Sequence, residues 1–93
     1  MIEESNKIVL MRVLSNLNRY KILKLIYSSN RDLCVNEISQ TVQISQSLAS
    51  HQLAYLTSKG LVKAHRMGQI ICYLKENNAL SEKLLKVLNI LAE

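Results

Sequence analysis

The sequence has no phenylalanine, tryptophan or proline, only two glycines and two cysteines, and no long apolar run. Each shortage excludes something. No stretch approaches the ~20 apolar residues that cross a bilayer. Glu3 and Glu4 stand where a secretory signal would carry positive charge, so a cytoplasmic protein is expected. Cys34 and Cys72 are too few for the framework of a small secreted scaffold, and in a reducing compartment they are expected as thiols. There is no glycine loop to cradle phosphate, no carboxylate pair, and no nucleophile with a base and an orienting acid, which argues against an enzyme. Repeats and low-complexity tracts are also missing, and 93 residues make one domain.

What the chain has is apolar mass, 48% of its residues and mostly Leu and Ile. A domain this small buries a smaller fraction of its surface than a larger one, so some of that mass is expected to lie against a second copy. The net charge of +5 is uneven. Residues 1–32 and 61–76 hold the excess of Lys and Arg, while 33–60 and 77–93 are neutral. Residues 38–75 contain no carboxylate but include Lys59, Lys63, Arg66, Lys75 and both histidines. A polyanion could approach that half without meeting like charge. A chance gap on a solvated surface would look the same.

Periodicity predicts five helices and one hairpin. Leu10, Val13, Leu14 and Leu17 mark one face of a helix over 5–17. Asn18 is read as the N-cap of a second helix burying Ile22, Leu25 and Ile26, and the polar run 28–32 ends it. A third helix opens near Cys34, with Glu37 at the capping-box position and Val35, Ile38 and Val42 inward. After Gln43-Ile44-Ser45, a fourth helix has Ser45 as N-cap, Ala49, Leu53 and Leu56 inward, and Gly60 as its stop. The runs 61–66 and 70–75 flank Met67-Gly68-Gln69 as a hairpin. On a last helix over 79–92, Leu80, Leu84, Val87, Leu88 and Leu91, widened by Leu85 and Ile90, make a face broad enough to serve both core and partner, with Leu88 in the seam.

The outer face of the fourth helix carries Ser47, Ser50, His51, Ala54 and Tyr55, polar yet uncharged. Solvent-facing helices usually carry Glu and Lys. Two short helices joined by a three-residue turn, the second with such a face, make a helix-turn-helix over 35–58. Gln, Ser and His side chains can read base edges in the major groove, the helix N-terminus suits a phosphate, and the basic hairpin 61–75 is placed to act as a wing.

The string Leu14-Ser15-Asn16-Leu17-Asn18-Arg19-Tyr20-Lys21-Ile22-Leu23 resembles a signature of ArsR-type (ArsR/SmtB) repressors, L-S-D-P-T-R-x-x-I-L. Leu17 replaces the family's proline and is expected to lengthen the first helix. Ile44-Ser45-Gln46-Ser47-Leu48-Ala49-Ser50-His51-Gln52-Leu53 resembles the family's recognition helix, and Gly60-Leu61-Val62 with Arg66-x-Gly68-Gln69 resembles its helix stop and wing. The resemblance implies a mainly α winged helix-turn-helix: two helices, a short strand, two helices, a hairpin and a last helix. It implies a homodimer through the first and last helices, and repression of transcription by binding an inverted repeat in duplex DNA. Gln46, Ser47, Ser50 and His51 would meet bases and nearby phosphates, with Arg66 and Gln69 at the wing tip. Lys63 joins them on charge alone, as a residue equally at home in solvent. A winged helix that binds protein instead of DNA is the competing reading; it explains the neutral face but not the acid-free span.

The family's inducers are often metals. One of its sites uses Cys-x-Cys at the third helix, which here reads Cys34-Val35-Asn36; another uses Asp, His and Glu on the last helices, and residues 79–92 hold neither Asp nor His. No metal or other cofactor is expected. His51 has no Cys, Asp or His three or four residues away on its face, so a ligand role is disfavoured. Cys34 and Cys72 read first as small buried apolar residues. In winged helices a short strand before the third helix often pairs with the second wing strand, and Cα atoms within ~7 Å would then permit a redox pair.

Overall fold

A computed structural model describes the backbone of residues 2–92 and the side chains of residues 6–92. The elements run α1 (Ile2–Leu14), α2 (Leu17–Tyr27), β1 (Leu33–Cys34), α3 (Val35–Val42), α4 (Gln46–Ser58), β2 (Val62–Met67), β3 (Ile70–Lys75) and α5 (Ala79–Leu91). This is a mainly α winged helix-turn-helix with a three-stranded sheet in the order β1-β3-β2. Among the described residues, no helix is long and apolar enough to cross a membrane.

The first boundary differs from the expectation. Leu10 and Val13 are buried, but the helix stops at Leu14, and Leu17 is 64% exposed at the start of α2. Asn16, not Asn18, is the N-cap, its Oδ1 accepting the Arg19 N–H at 3.0 Å. Leu17 therefore takes the first helical position, where proline is favoured because its missing N–H has no partner there. The substitution leaves α1 no longer than this cap allows.

Cys34 is the N-cap of α3, and the Glu37 carboxylate accepts the Cys34 N–H at 3.0 Å. Arg31 grips the same carboxylate at 2.9 Å. The Arg31 hydrogen bond and then the Cys34 N–H hold the Glu37 carboxyl below its ordinary range. This interaction stabilises the fold above the ordinary carboxylate pKa and fades as pH falls through the lowered one; being exposed, it contributes little. Gln43 turns the chain with φ +68°, and Ser39 O accepts from the N–H groups of Gln43 and Ile44. Ser45 then caps α4, its Oγ accepting the Leu48 N–H at 3.0 Å.

Ala49, Leu53 and Leu56 of α4 are fully buried with Ile22, Leu23, Ile38 and Leu84. Gly60 (φ +75°) ends the helix in a conformation that a Cβ would strain. Two adjacent carbonyls follow. Gly60 O accepts from Asn78 Nδ2 at 3.0 Å, and Leu61 O accepts from Tyr27 Oη at 2.6 Å. Burial, with Glu76 nearby, pushes the Tyr27 phenol upward, so it stays a donor. Asn78 also caps α5, exchanging hydrogen bonds with Ser81.

The hairpin is tighter than read from sequence. Met67 pairs with Ile70, so only Gly68 and Gln69 form the turn. Gly68 has φ +67° and Gln69 has no positive φ, the signature of a type II′ turn. On α5, Leu84 and Leu88 face the chain's own core, whereas Ile90 (65% exposed) and Leu91 (53%) face outward. Leu88 is thus a core residue and does not lie on the outer seam expected of it.

Candidate nucleic-acid interface

Capping at Ser45 and burial of Ala49, Leu53 and Leu56 fix how α4 is rotated. Gln46, Ser47, Ser50, His51 and Ala54 then stand exposed on one side without a charge among them. Tyr55, grouped with that face from sequence, is half-buried; the Arg19 guanidinium lies 4.5 Å from its ring centroid and Lys59 Nζ lies 5.4 Å away.

Beside this face runs a groove of about 450 Å³. Val35, Asn36, Gln46 and Ser50 form its helix-turn-helix wall, and Gln69, Ile70, Ile71 and Tyr73 its wing wall. No lining residue is acidic. Gln46, Ser50 and Gln69 are therefore brought together, while Ser47 and His51 lie outside the groove. Residues paired across strands share a sheet face. Arg66, paired with Ile71, shares the face of Ile71 and Tyr73, whereas Lys63 lies on the other face with His65 and Met67. Lys63 and Arg66, named together as wing contacts, thus point to opposite sides.

The wing is also less free of acids than the sequence implies. Asp32 Oδ2 lies 2.6 Å from His65 Nδ1, joining the loop before β1 to the middle of β2. Thirty-three positions separate them, so no local pattern reveals the pair. Arg19 is a second residue that sequence reasoning passes over. Its Nε donates to Val13 O (3.1 Å), its Nη2 to Arg12 O (3.0 Å) and its Nη1 to Gln52 Oε1 (3.3 Å). It thereby closes the end of α1 and holds the inner side of α4 at once. Arg19→Met keeps the stem but strands those acceptors, and should cost about 1–3 kcal/mol in urea unfolding; Arg19→Lys should recover little, lacking the planar fork. Unchanged stability of Arg19→Met would reject this bracing role.

Leu33 and Cys34 pair with Tyr73 and Cys72, and the Cys34 and Cys72 sulfurs are bonded, with Cα atoms 3.9 Å apart. The pairing arises because β1 lies along β3, which composition alone does not reveal. Among the described residues, no three of His, Cys, Asp and Glu gather to hold a metal ion.

The family model described as "Bacterial regulatory protein, arsR family" matches residues 16–64, from the cap of α2 into β2. A putative arsenical resistance operon repressor of Halobacterium salinarum is 39% identical over 56 residues, covering 60% of this chain and 43% of that protein. The transcriptional activator HlyU of Vibrio cholerae is 33% identical over 66 residues, 71% of this chain and 59% of its own length. The chain thus spans about half the length of these curated relatives. A solved structure of HlyU from V. cholerae N16961 superposes with a TM-score of 0.80 at 27% identity, over 96% of this chain and 94% of that one. The transcriptional repressor PagR of Bacillus anthracis gives 0.73 at 28% identity, over 95% and 98%. This chain belongs to the arsR family of bacterial regulatory proteins, whose members are winged helix-turn-helix regulators.

Proposed function

We propose that the protein is a homodimeric repressor that binds an inverted repeat in duplex DNA. The observation that carries this is the arrangement of the uncharged outer face of α4 beside the wing, across a groove without acids. In this reading α4 enters the major groove, with Gln46, Ser47, Ser50 and His51 at base edges and nearby phosphates. The sugar–phosphate strand lies in the groove, and Arg66 and Gln69 follow it toward the minor groove. Lys63, on the other face of the wing, meets only outer phosphates. Relatives named for activation and for repression both share the fold. Repression is the simpler output, since a dimer seated on an operator blocks the polymerase without further contacts. No metal takes part in this reading: among the described residues, no three of His, Cys, Asp and Glu gather.

The test is binding to a duplex selected from a random pool, followed across salt. His51→Ala should relax preference at one base position by ~1–3 kcal/mol. Arg66→Ala should weaken all sequences alike and reduce the salt slope by about one unit. An unaltered base preference in His51→Ala would remove it from the reading face. Salt-independent binding, or none, would return the molecule to the protein-binding alternative.

A further inference from the structure

We propose that Met67 and Ile70, at the tip of the wing, form an apolar wedge that enters the minor groove and selects a deformable TA step beside each half-site. The proposal rests on the DNA reading above and adds a specificity determinant outside the bases that α4 meets.

The tip stands clear of the domain. Met67 pairs with Ile70 across the two-residue turn, and their side chains are 53% and 54% exposed. A Cβ at Gly68 would meet no other atom within 4 Å, so the turn projects into open space. A tip that only followed a sugar–phosphate strand would carry Lys, Arg, Ser or Asn at these positions. Here the cation Arg66 is one residue back on the groove face, while Met67 and Ile70 share the opposite face. An apolar cross-strand pair also steadies a hairpin; that role alone would show in thermal stability and not in DNA preference.

The shape of the duplex names the occupant. In a double helix, one sugar–phosphate strand separates the major groove from the minor groove. Gln46 and Ser50 stand on one side of the acid-free groove, Gln69 and Ile70 on the other. With α4 in the major groove and a strand seated between these walls, the wing tip faces the minor groove. That groove is ~6 Å wide and paired strands lie ~4.8 Å apart, so the tip enters and the sheet behind it does not. Residues 38–75 carry no carboxylate to repel the approach. Asp32 is engaged by His65, two residues back along β2.

Apolar side chains that enter a minor groove press between base pairs, partly unstack them and kink the duplex. The cost is least at pyrimidine–purine steps. G·C pairs add an amino donor to the groove floor, which Met and Ile cannot satisfy, and a TA step has none. The adjacent minor groove lies half a helical turn away, so the step belongs about five base pairs from the centre of the bases under α4. The wing lies on one side of α4, so only one flank of each half-site carries the preference.

The experiment uses the full chain and a duplex whose half-sites are selected from a random pool. A TA step is moved through G·C-rich flanks one base pair at a time, and Kd is read by fluorescence anisotropy. The wild type should bind at least tenfold more tightly when the step stands about five base pairs from a half-site centre, on one side only. The fluorescent base aminopurine, replacing the adenine there, should brighten on binding as it unstacks. The double variant Met67→Ala with Ile70→Ala should bind all flanks alike, keep its preference within the half-sites and leave the aminopurine dark. Met67→Gln, similar in length but polar at its end, should melt like the wild type and lose most of the flank preference. A flank preference absent from the wild type, or surviving in the double variant, overturns the wedge and leaves the DNA reading standing. A changed oligomeric mass in the double variant would place the tip against protein, and overturns the wedge as well. Failure of the wild type to retain any duplex is a different result: it removes the DNA reading itself, and this proposal with it.

Discussion

Replacing both Met11 and Ile90 with glutamate should leave the domain folded yet weaken operator binding at least a hundredfold. Met11 is 64% exposed on α1 and Ile90 65% exposed on α5, with Ile8 and Leu91 also outward. Apolar side chains on two helices at this exposure mark where a second copy would cover them. Glutamates there would meet their symmetry mates or an apolar face on association, and neither can be solvated. A monomer engages one half-site only, and losing the linked second contact removes an avidity factor of ~10²–10⁴. Sedimentation at micromolar concentration should show the chain mass rather than its double, and thermal melting should show a cooperative fold. Leu88→Glu is the contrast. Leu88 is 5% exposed within its own chain, so the charge would enter the core of a domain with only ~5–15 kcal/mol of stability and unfold it. A Met11/Ile90 double variant that still sediments as a dimer would move the interface elsewhere.

Ser50→Glu should also lower DNA affinity at least a hundredfold, on every duplex, whether selected or not. Ser50 stands on the helix wall of the groove, facing the wing wall that carries Gln69. A carboxylate there would confront phosphates where no acid lines the groove, and like charges brought together cost several kcal/mol. The fold should be untouched, because the position is exposed and Glu is a better helix former than Ser. Ser50→Ala removes only a hydroxyl, and should cost ~1–3 kcal/mol at a single base position. The two substitutions separate electrostatic approach from base reading at one residue. Wild-type affinity in Ser50→Glu would mean that α4 does not face the nucleic acid.

The helix-turn-helix was the most legible part of the chain because its determinants are local. Ser45 caps α4, Ala49, Leu53 and Leu56 turn inward, and Gly60 takes positive φ, all within sixteen residues of continuous pattern. The start of α2 was less legible. Asn16 and Asn18 are equally good caps on paper, and the choice falls to Asn16 because Arg19, one turn on, is drawn to the end of α1 and to Gln52. Leu88 and Ile90 share a broad apolar stripe, and periodicity cannot say which of them a partner would cover. Cys34 and Cys72 came together on paper only through the topology of winged helices, because the strand that carries Cys34 is two residues long and leaves no period. The Asp32–His65 contact joins segments 33 positions apart and leaves no pattern at all. What was missed is non-local.

The carbonyls of Gly60 and Leu61 tie the end of α4 to two other helices. Asn78, at the head of α5, holds the first, and Tyr27, at the foot of α2, holds the second. The end of α4 is thus clamped to the element proposed to meet the second copy. In the proposed dimer, the distance and angle between the two reading helices are settled before any DNA arrives. The protein then works as a calliper. One added base pair between half-sites turns the second by about 35° around the duplex axis, and jaws fastened at this junction cannot swivel to follow.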